Sequence, residues 1–523
     1  MEKTAGSKKP NIIIVMTDQQ RADLRKGCGY PLDTMPNLDR FANEGVEFTR
    51  AYTPNPTCMP ARVSLFTGRY PSCHRVRTNH NAADAYYTRD LLDVLKENGY
   101  RTALCGKNHS HRRPADFDFH EVNGHLGYEG EINRSENEKE FADFLKSTNH
   151  METDYPSPCG VEVQHPYRNV ESALKFIDGC EKDQPFFAWV SFAEPHNPYQ
   201  VPEPYFDMFP SESLPRLDTS AENLAAKGDE YRWLRGVWEE VLGEDIEKRI
   251  LRARSNYLGM LRLIDDQFAR LLDGLERRGL SENTLVIFMS DHGDFAGEYG
   301  LIRKGVGLSE PLIHIPLAMR GAGVSVHGKI DNAFANTVDI FPTICDLIGV
   351  EIPFGVQGKS LLPLTLGESY PEHEYDTGYS ESGFGGLFWN GHDRLTLSEE
   401  NACDEKMTRF DCLNTWTQCG TLRAAICGDL KIQADMSGRI FLYNLKDDPH
   451  EINNLADNPA YEKEKCFMLG KLVTAVLRAA DSLPSPRHRY RVKRHPLGFW
   501  EDGGYVSDDP GVHGFPEIKS KSE

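Results

Sequence analysis

The sequence has no CxxC pair, no apolar run long enough to cross a bilayer and no excess of positive charge. Its 12 cysteines are scattered over 523 residues without regular spacing, which argues for reduced thiols in a reducing compartment and against a disulfide cage. Lys and Arg number 59 against 79 Asp and Glu, a net charge of −20. A surface of that sign repels a phosphate backbone, so no nucleic-acid partner is expected. Apolar stretches such as Ile12 to Met16 fall far short of the roughly 20 residues a membrane helix needs, so no membrane partner is expected either. Lysines do occur in the first ten residues, yet neither a long apolar segment nor a small-residue cleavage site follows them. No signal peptide is therefore expected, and the expected location is cytoplasmic.

With 39% hydrophobic residues the chain can bury a sizeable core, and its length suits about three domains or one large α/β domain with an appendage. Short apolar runs rich in β-branched or aromatic residues (Ile12 to Met16, Thr102 to Cys105, Phe186 to Phe192, Thr284 to Met289, Ile313 to Met319) alternate with helical patterns at Met35 to Asn43, Thr88 to Asn98, Val170 to Asp178 and Ile246 to Arg278. Continuous apolar strands suit a sheet covered on both faces, and the alternation predicts an α/β fold with a large, mostly parallel sheet sandwiched by helices. After Gly367 the texture changes. Ala424 to Ala434 and Arg439 to Leu445 read as an antiparallel pair joined at Met436-Ser437-Gly438, followed by a helix from Ala460 to Asp481. The expected division is a large domain over 1–369 and a smaller α+β subdomain with an antiparallel sheet, plus tail, over 370–523. The fold of the tail from Pro484 is not legible.

Two of the apolar runs end in acidic residues: Ile12 to Met16 leads into Thr17-Asp18-Gln19, and Leu285 to Met289 leads into Ser290-Asp291-His292-Gly293-Asp294. Ligands of open α/β sheets bind at the carboxyl ends of the strands. Asp18, Gln19, Asp291 and His292 brought together there would suit one divalent cation, the hard oxygens favouring Ca²⁺, Mg²⁺ or Mn²⁺ and the histidine leaving room for a transition metal. Either aspartate alone is more often a turn or helix cap, and the two matched contexts weigh against that reading.

Cys58-Met59-Pro60-Ala61-Arg62 precedes a helical pattern, Val63 to Arg69. Proline belongs in a first helical turn, so Cys58 falls at a helix N-terminus, where orphan N–H groups favour an anion and lower a thiol pKa. Without that context a cysteine is a small buried hydrophobe.

Cys-x-Pro-x-Arg followed by Leu65-Phe66-Thr67-Gly68-Arg69 resembles the signature of the type I, formylglycine-dependent sulfatases of the alkaline-phosphatase superfamily. Further segments match in the family's order: Asn11 to Gln19, Gly99 to Ala103 with Gly106-Lys107-Asn108-His109, Phe186-Phe187 through Pro195-His196-Asn197-Pro198, Ser290 to Gly293 with Gly297 to Leu301 and Lys304-Gly305, and Leu442 to Leu445 through Asn454-Leu455-Ala456. The resemblance spans residues 10 to about 457. Asp18-Gln19 and Asp291-His292 stand where many members have Asp-Asp and Asp-Asn. These variants also occur in phosphonate and phosphodiester hydrolases of the superfamily, whereas Lys107 and His109 point back to sulfatases.

The resemblance implies a sulfuric ester hydrolase in which a maturation enzyme oxidises Cys58 to formylglycine. Its hydrated gem-diol would attack sulfur with one hydroxyl, and the other would later expel sulfate. It further implies one divalent metal, most simply Ca²⁺, with Mn²⁺ or Mg²⁺ as alternatives. Arg62, Lys107 and Lys304 would neutralise the anion, His196 would protonate the leaving oxygen and His109 would assist the diol. Glu310, Asp294, His80 and Asn81 are further candidates for the pocket. The implied partner is a small sulfated substrate, a mono- or short oligosaccharide. The alternatives are a phosphonate monoester or phosphodiester hydrolase, and a non-catalytic homologue that binds sulfated ligands.

Overall fold

The computed structural model describes residues 8–128, 134–384, 420–481 and 495–500. Its central feature is a nine-stranded mixed sheet. Across its middle run the strands Thr284–Ser290, Asn11–Asp18, Phe186–Pro195 and Arg101–Gly106, hydrogen-bonded in that order and all parallel. Leu317–Gly321 pairs antiparallel to Thr284–Ser290 on one side, and Phe119–Gly124 continues the parallel run on the other.

The unbroken apolar run of the central strand has its explanation in the two faces. Ile13 and Val15 enter one core with Phe41, Val170, Leu261 and Phe268, while Ile12, Ile14 and Met16 enter the opposite core with Leu65, Phe66, Leu95 and Phe341. Successive strand side chains point to opposite faces, so a strand covered on both sides needs apolar residues throughout. Helices Pro36–Glu44, His165–Asp178 and the 32-residue Ile246–Arg277 cover the first face, and Cys58–Thr67, Leu91–Glu97 and Ile340–Ile348 cover the second.

Two expected boundaries are corrected. Ile313 to Met319 is not one strand: Glu310–Ile313 forms a helical turn with Pro311 in its first turn, and the strand begins only at Leu317. Pro316, which has no N–H to donate to a ladder, separates them. Ala424 to Ala434 is likewise two strands, Leu422–Cys427 and Leu430–Asp435, folded back at Gly428-Asp429 with Cys427 opposite Leu430. Gly428 has φ 57°, the left-handed value a two-residue hairpin turn requires. With Gly378–Ser382 and Ile440–Asn444 these strands make a four-stranded antiparallel sheet, against which Glu462–Ala480 packs. Of the tail from Pro484, only 495–500 lies within the described residues.

The small sheet is joined to the large one partly by buried charge. Lys431 Nζ lies 2.8 Å from both Glu310 Oε1 and Glu451 Oε1, and Lys227 Nζ lies 3.3 Å from Glu451 Oε2. Removing one member of a buried pair leaves an uncompensated charge, at a loss of about 3–5 kcal/mol. Lys431→Met is therefore expected to lower unfolding free energy by about that amount in denaturant titration. A change under about 1 kcal/mol would mean the pairs are not the tie described.

Candidate active site

Parallel register delivers the first donors. Thr17 pairs with Ser290, so Asp18 and Asp291, the next residues of adjacent strands, emerge together at the carboxyl edge of the sheet. Lys107 and His109 follow the end of Arg101–Gly106, and His196 follows Phe186–Pro195. Four adjacent strands thus feed one edge, as the strand-end rule expects. Gly106, with φ 111°, permits this close approach: a Cβ there would meet Ser191 O at 2.0 Å.

Cys58 opens the helix Cys58–Thr67, all ten of whose residues are buried. Gly68 ends it at φ 62°, donating to Ser64 O, and any side chain there would also press on Val356. One turn separates Cys58 from Arg62, so both address the strand ends from one helix face. Cys58 Sγ lies 3.2 Å from His292 Nε2, 3.2 Å from Lys304 Nζ and 3.5 Å from Asp18 Oδ1. Arg62 donates from Nε to Asp291 Oδ2 at 2.8 Å, from Nη2 to Asp18 Oδ2 at 3.0 Å and from Nη1 to Ser191 Oγ at 2.7 Å. Lys107 Nζ pairs with Asp18 Oδ2 as well.

The electrostatics follow from burial and sign. Burial alone would raise Asp18, but Lys107, His196, Arg62 and Lys304 hold its carboxyl well below the usual range. Asp291 is pushed up, by burial and then by the Asp18 charge. Burial and Asp18 also oppose ionisation of the Cys58 thiol, yet Lys107, Lys304 and His292 prevail and hold it well below an ordinary cysteine. Burial and Lys107 lower His109, against its hydrogen bond to Cys58.

Asp18, Cys58, Asp291 and His292 each offer an atom within 4.8 Å of the others. Two carboxylates and an imidazole, buried and converging, are a donor set suited to a divalent cation. Gln19 is present but engaged: its Oε1 accepts from Lys304 at 2.8 Å, its Nε2 donates to Asp294, and its φ of 70° turns the chain away from the strand.

All ten residues singled out for catalysis or metal binding lie around this edge. The secondary candidates divide. Asp294 is next to the cluster, accepting from Gln19 and from Tyr199 Oη at 2.6 Å. Glu310 is elsewhere, bonded to Tyr52 and Lys431 on the wall of a separate cavity of about 360 Å³. His80 is exposed, and Asn81 accepts bonds within its own loop. Their neighbour Asn79 reaches the helix instead, accepting from Met59 N at 3.0 Å. Sequence reading also missed Ser191, which holds Arg62, and His125, whose Nε2 lies 2.8 Å from Lys107 Nζ. The only sequence signal for either was its place near the end of a strand.

The sequence model of the family described as Sulfatase matches residues 10–350. An arylsulfatase of Clostridium perfringens is 28% identical over 505 residues, covering 90% of this chain and 95% of that protein. An N-acetylglucosamine-6-O-sulfatase of Bacteroides thetaiotaomicron is 22% identical, covering 92% and 88%. The crystal structure of a phosphonate monoester hydrolase of Agrobacterium radiobacter shares the fold, with TM-score 0.73 at 23% identity over 93% of this chain and 98% of that one.

Behind the Cys58 helix, His74 Nε2 lies 2.9 Å from Ser64 Oγ and its Nδ1 accepts from Val76 N. Burial, and then the neighbouring His111, hold this imidazole down to about 3. The unfolded chain, at an ordinary histidine value near 6.5, binds this proton first, so stability contributed by neutral His74 is complete above about 6.5 and is lost as pH falls from there toward 3. The expected slope is about 1.4 kcal/mol per pH unit from this group alone. Unfolding free energy measured across that window should fall less steeply in His74→Gln than in the parent; parallel slopes would remove His74 as the cause.

Proposed function

The chain belongs to the sulfatase family, and from that premise we propose that it removes sulfate from a sulfated mono- or short oligosaccharide. The observation that carries this reading is the surround of Cys58: Lys304, His292 and Asp18 within 3.5 Å of its sulfur, with Arg62 and Lys107 both on the Asp18 carboxylate. Arg62, Lys107 and Lys304 bring three cations to this edge, and an anionic ester would meet them there. Likeness to an N-acetylglucosamine-6-O-sulfatase supports a sugar.

In this reading a maturation enzyme converts Cys58 to formylglycine, which supplies the nucleophilic oxygen. Asp18, Asp291, His292 and the amide oxygen of Gln19 would hold one divalent ion, Ca²⁺ or else Mn²⁺ or Mg²⁺, whose chemistry is to polarise the sulfate oxygens. The chain's own residues do the rest. Arg62 fixes Asp18 and Asp291 relative to the nucleophile. Lys107 and Lys304 take the charge of the sulfate. Burial, His125 and Lys304 hold the His196 imidazole well below its ordinary value; the negative charge of the sulfate would counter that shift, and the imidazolium so formed would give its Nε2 proton to the ester oxygen as the bond to sulfur breaks, because a sugar alkoxide leaves poorly alone. His109, bonded to Cys58, assists at the nucleophile.

A second reading, phosphonate monoester or phosphodiester hydrolysis, has one specific support, the Asp18-Gln19 and Asp291-His292 pairs. Lys107 and His109 favour the sulfate. The −20 chain should also disfavour long polyanions, since a small ester feels mainly the pocket cations while exposed charges act only within about 8–10 Å.

One assay panel tests both points, using a sulfated disaccharide, its parent polymer at equal sulfate concentration, and a phosphodiester. We expect kcat/KM on the disaccharide to exceed that on the phosphodiester by about tenfold or more, and to exceed that on the polymer. Preference for the phosphodiester would establish the second reading instead. Faster release from the polymer, persisting in high salt, would overturn the preference for short substrates.

A further inference from the structure

His125 lies in the turn between the edge strands Phe119–Gly124 and Gly127–Tyr128, and no sequence motif marks it. Its Nε2 is 2.8 Å from Lys107 Nζ. An ammonium has only N–H groups to offer, so that imidazole nitrogen must present its lone pair. The ring proton is therefore on Nδ1, which is buried and has no hydrogen-bond partner among the described residues. Among the described residues, the His125 side chain makes this hydrogen bond and one ring contact.

The ring contact is with His196. The two imidazoles stack with centroids 3.7 Å apart and planes inclined by 18°. His196 Nδ1 lies 2.6 Å from Asn197 O. A carbonyl can only accept, so Nδ1 carries a proton, and Nε2 is the nitrogen that takes up a second proton and, as imidazolium, passes it to substrate. The Asn197 bond fixes one point of the ring, but a single hydrogen bond leaves the plane free to swing; the face of His125 closes that freedom.

Resting on the assignment of His196 as proton donor to the leaving oxygen, we infer that His125 is a positioning residue that holds two members of the site at once. Its Nε2 aims the Lys107 ammonium, and its ring face fixes the plane of His196. The two functions separate by substitution. His125→Asn keeps a polar group for Lys107 and removes the ring. His125→Phe keeps a ring for His196 and removes the acceptor.

The readout that isolates positioning of a proton donor is dependence on the leaving group. A nitrophenolate departs without protonation, whereas a sugar alkoxide does not. Turnover of 4-nitrophenyl sulfate and of a sugar sulfate is compared in the matured parent, His125→Asn, His125→Phe and His196→Ala. His125→Asn should lose about tenfold or more in kcat on the sugar ester relative to the nitrophenyl ester, in the direction of His196→Ala. His125→Phe should raise KM for both esters while keeping their kcat ratio near that of the parent. If His196→Ala itself does not separate the two esters, the assignment of His196 falls. If His196→Ala separates them and His125→Asn loses equally on both, with or without a lower melting temperature, His125 is structural and the inference is overturned.

Discussion

The site depends on the fork of Arg62. Fully buried, it binds Asp18 from the central strand, Asp291 from the strand on one side and Ser191 from the strand on the other, and it lies over the ring of Trp189. One side chain therefore ties the helix that carries Cys58 to three neighbouring strands. A lysine could supply the charge but not the planar fork. Two carboxylates so close would repel one another in a low-dielectric interior, and bringing charges there is expensive. The surrounding cations Arg62, Lys107 and Lys304 make the arrangement possible, and the same cations leave the pocket suited to an anion. Stability and ligand preference thus share one cause.

The sequence made this legible where local pattern and fold coincide. Ile12 to Met16 and Leu285 to Met289 are apolar throughout because both faces of the sheet are covered, and in parallel register the residues two positions beyond them, Asp18 and Asp291, meet. Cys58 and Arg62 are a turn apart on a helix whose start Pro60 announces. Legibility failed where proline or glycine cut a run that hydrophobicity alone would continue, at Pro316 and at Gly428-Asp429. It failed again where a side chain acts through tertiary contact. Ser191 is an ordinary residue of a buried strand until Arg62 reaches it, and His125 is an ordinary turn residue until edge-strand pairing sets it on His196. The place of Gln19 after Asp18 puts it at the site; that its amide also meets Lys304 and Asp294 depends on a backbone turn at φ 70° that no spacing encodes.

Function rests on the same division. The family follows from the match over residues 10–350, and the site from groups that four strand ends, one helix and the segment carrying Lys304 bring together. The phosphonate monoester hydrolase of Agrobacterium radiobacter shares the fold, so the fold by itself does not fix the ester.

Asp18 and Asp291, braced by Arg62, would then serve as a cation centre as well as a structural knot. Equilibrium dialysis of the full chain against divalent ions, followed by elemental analysis, tests it without reference to turnover. The account predicts one ion per chain in the parent and none retained by folded Asp291→Asn. A folded parent that retains no divalent ion, or an Asp291→Asn chain that holds it undiminished, would contradict the account.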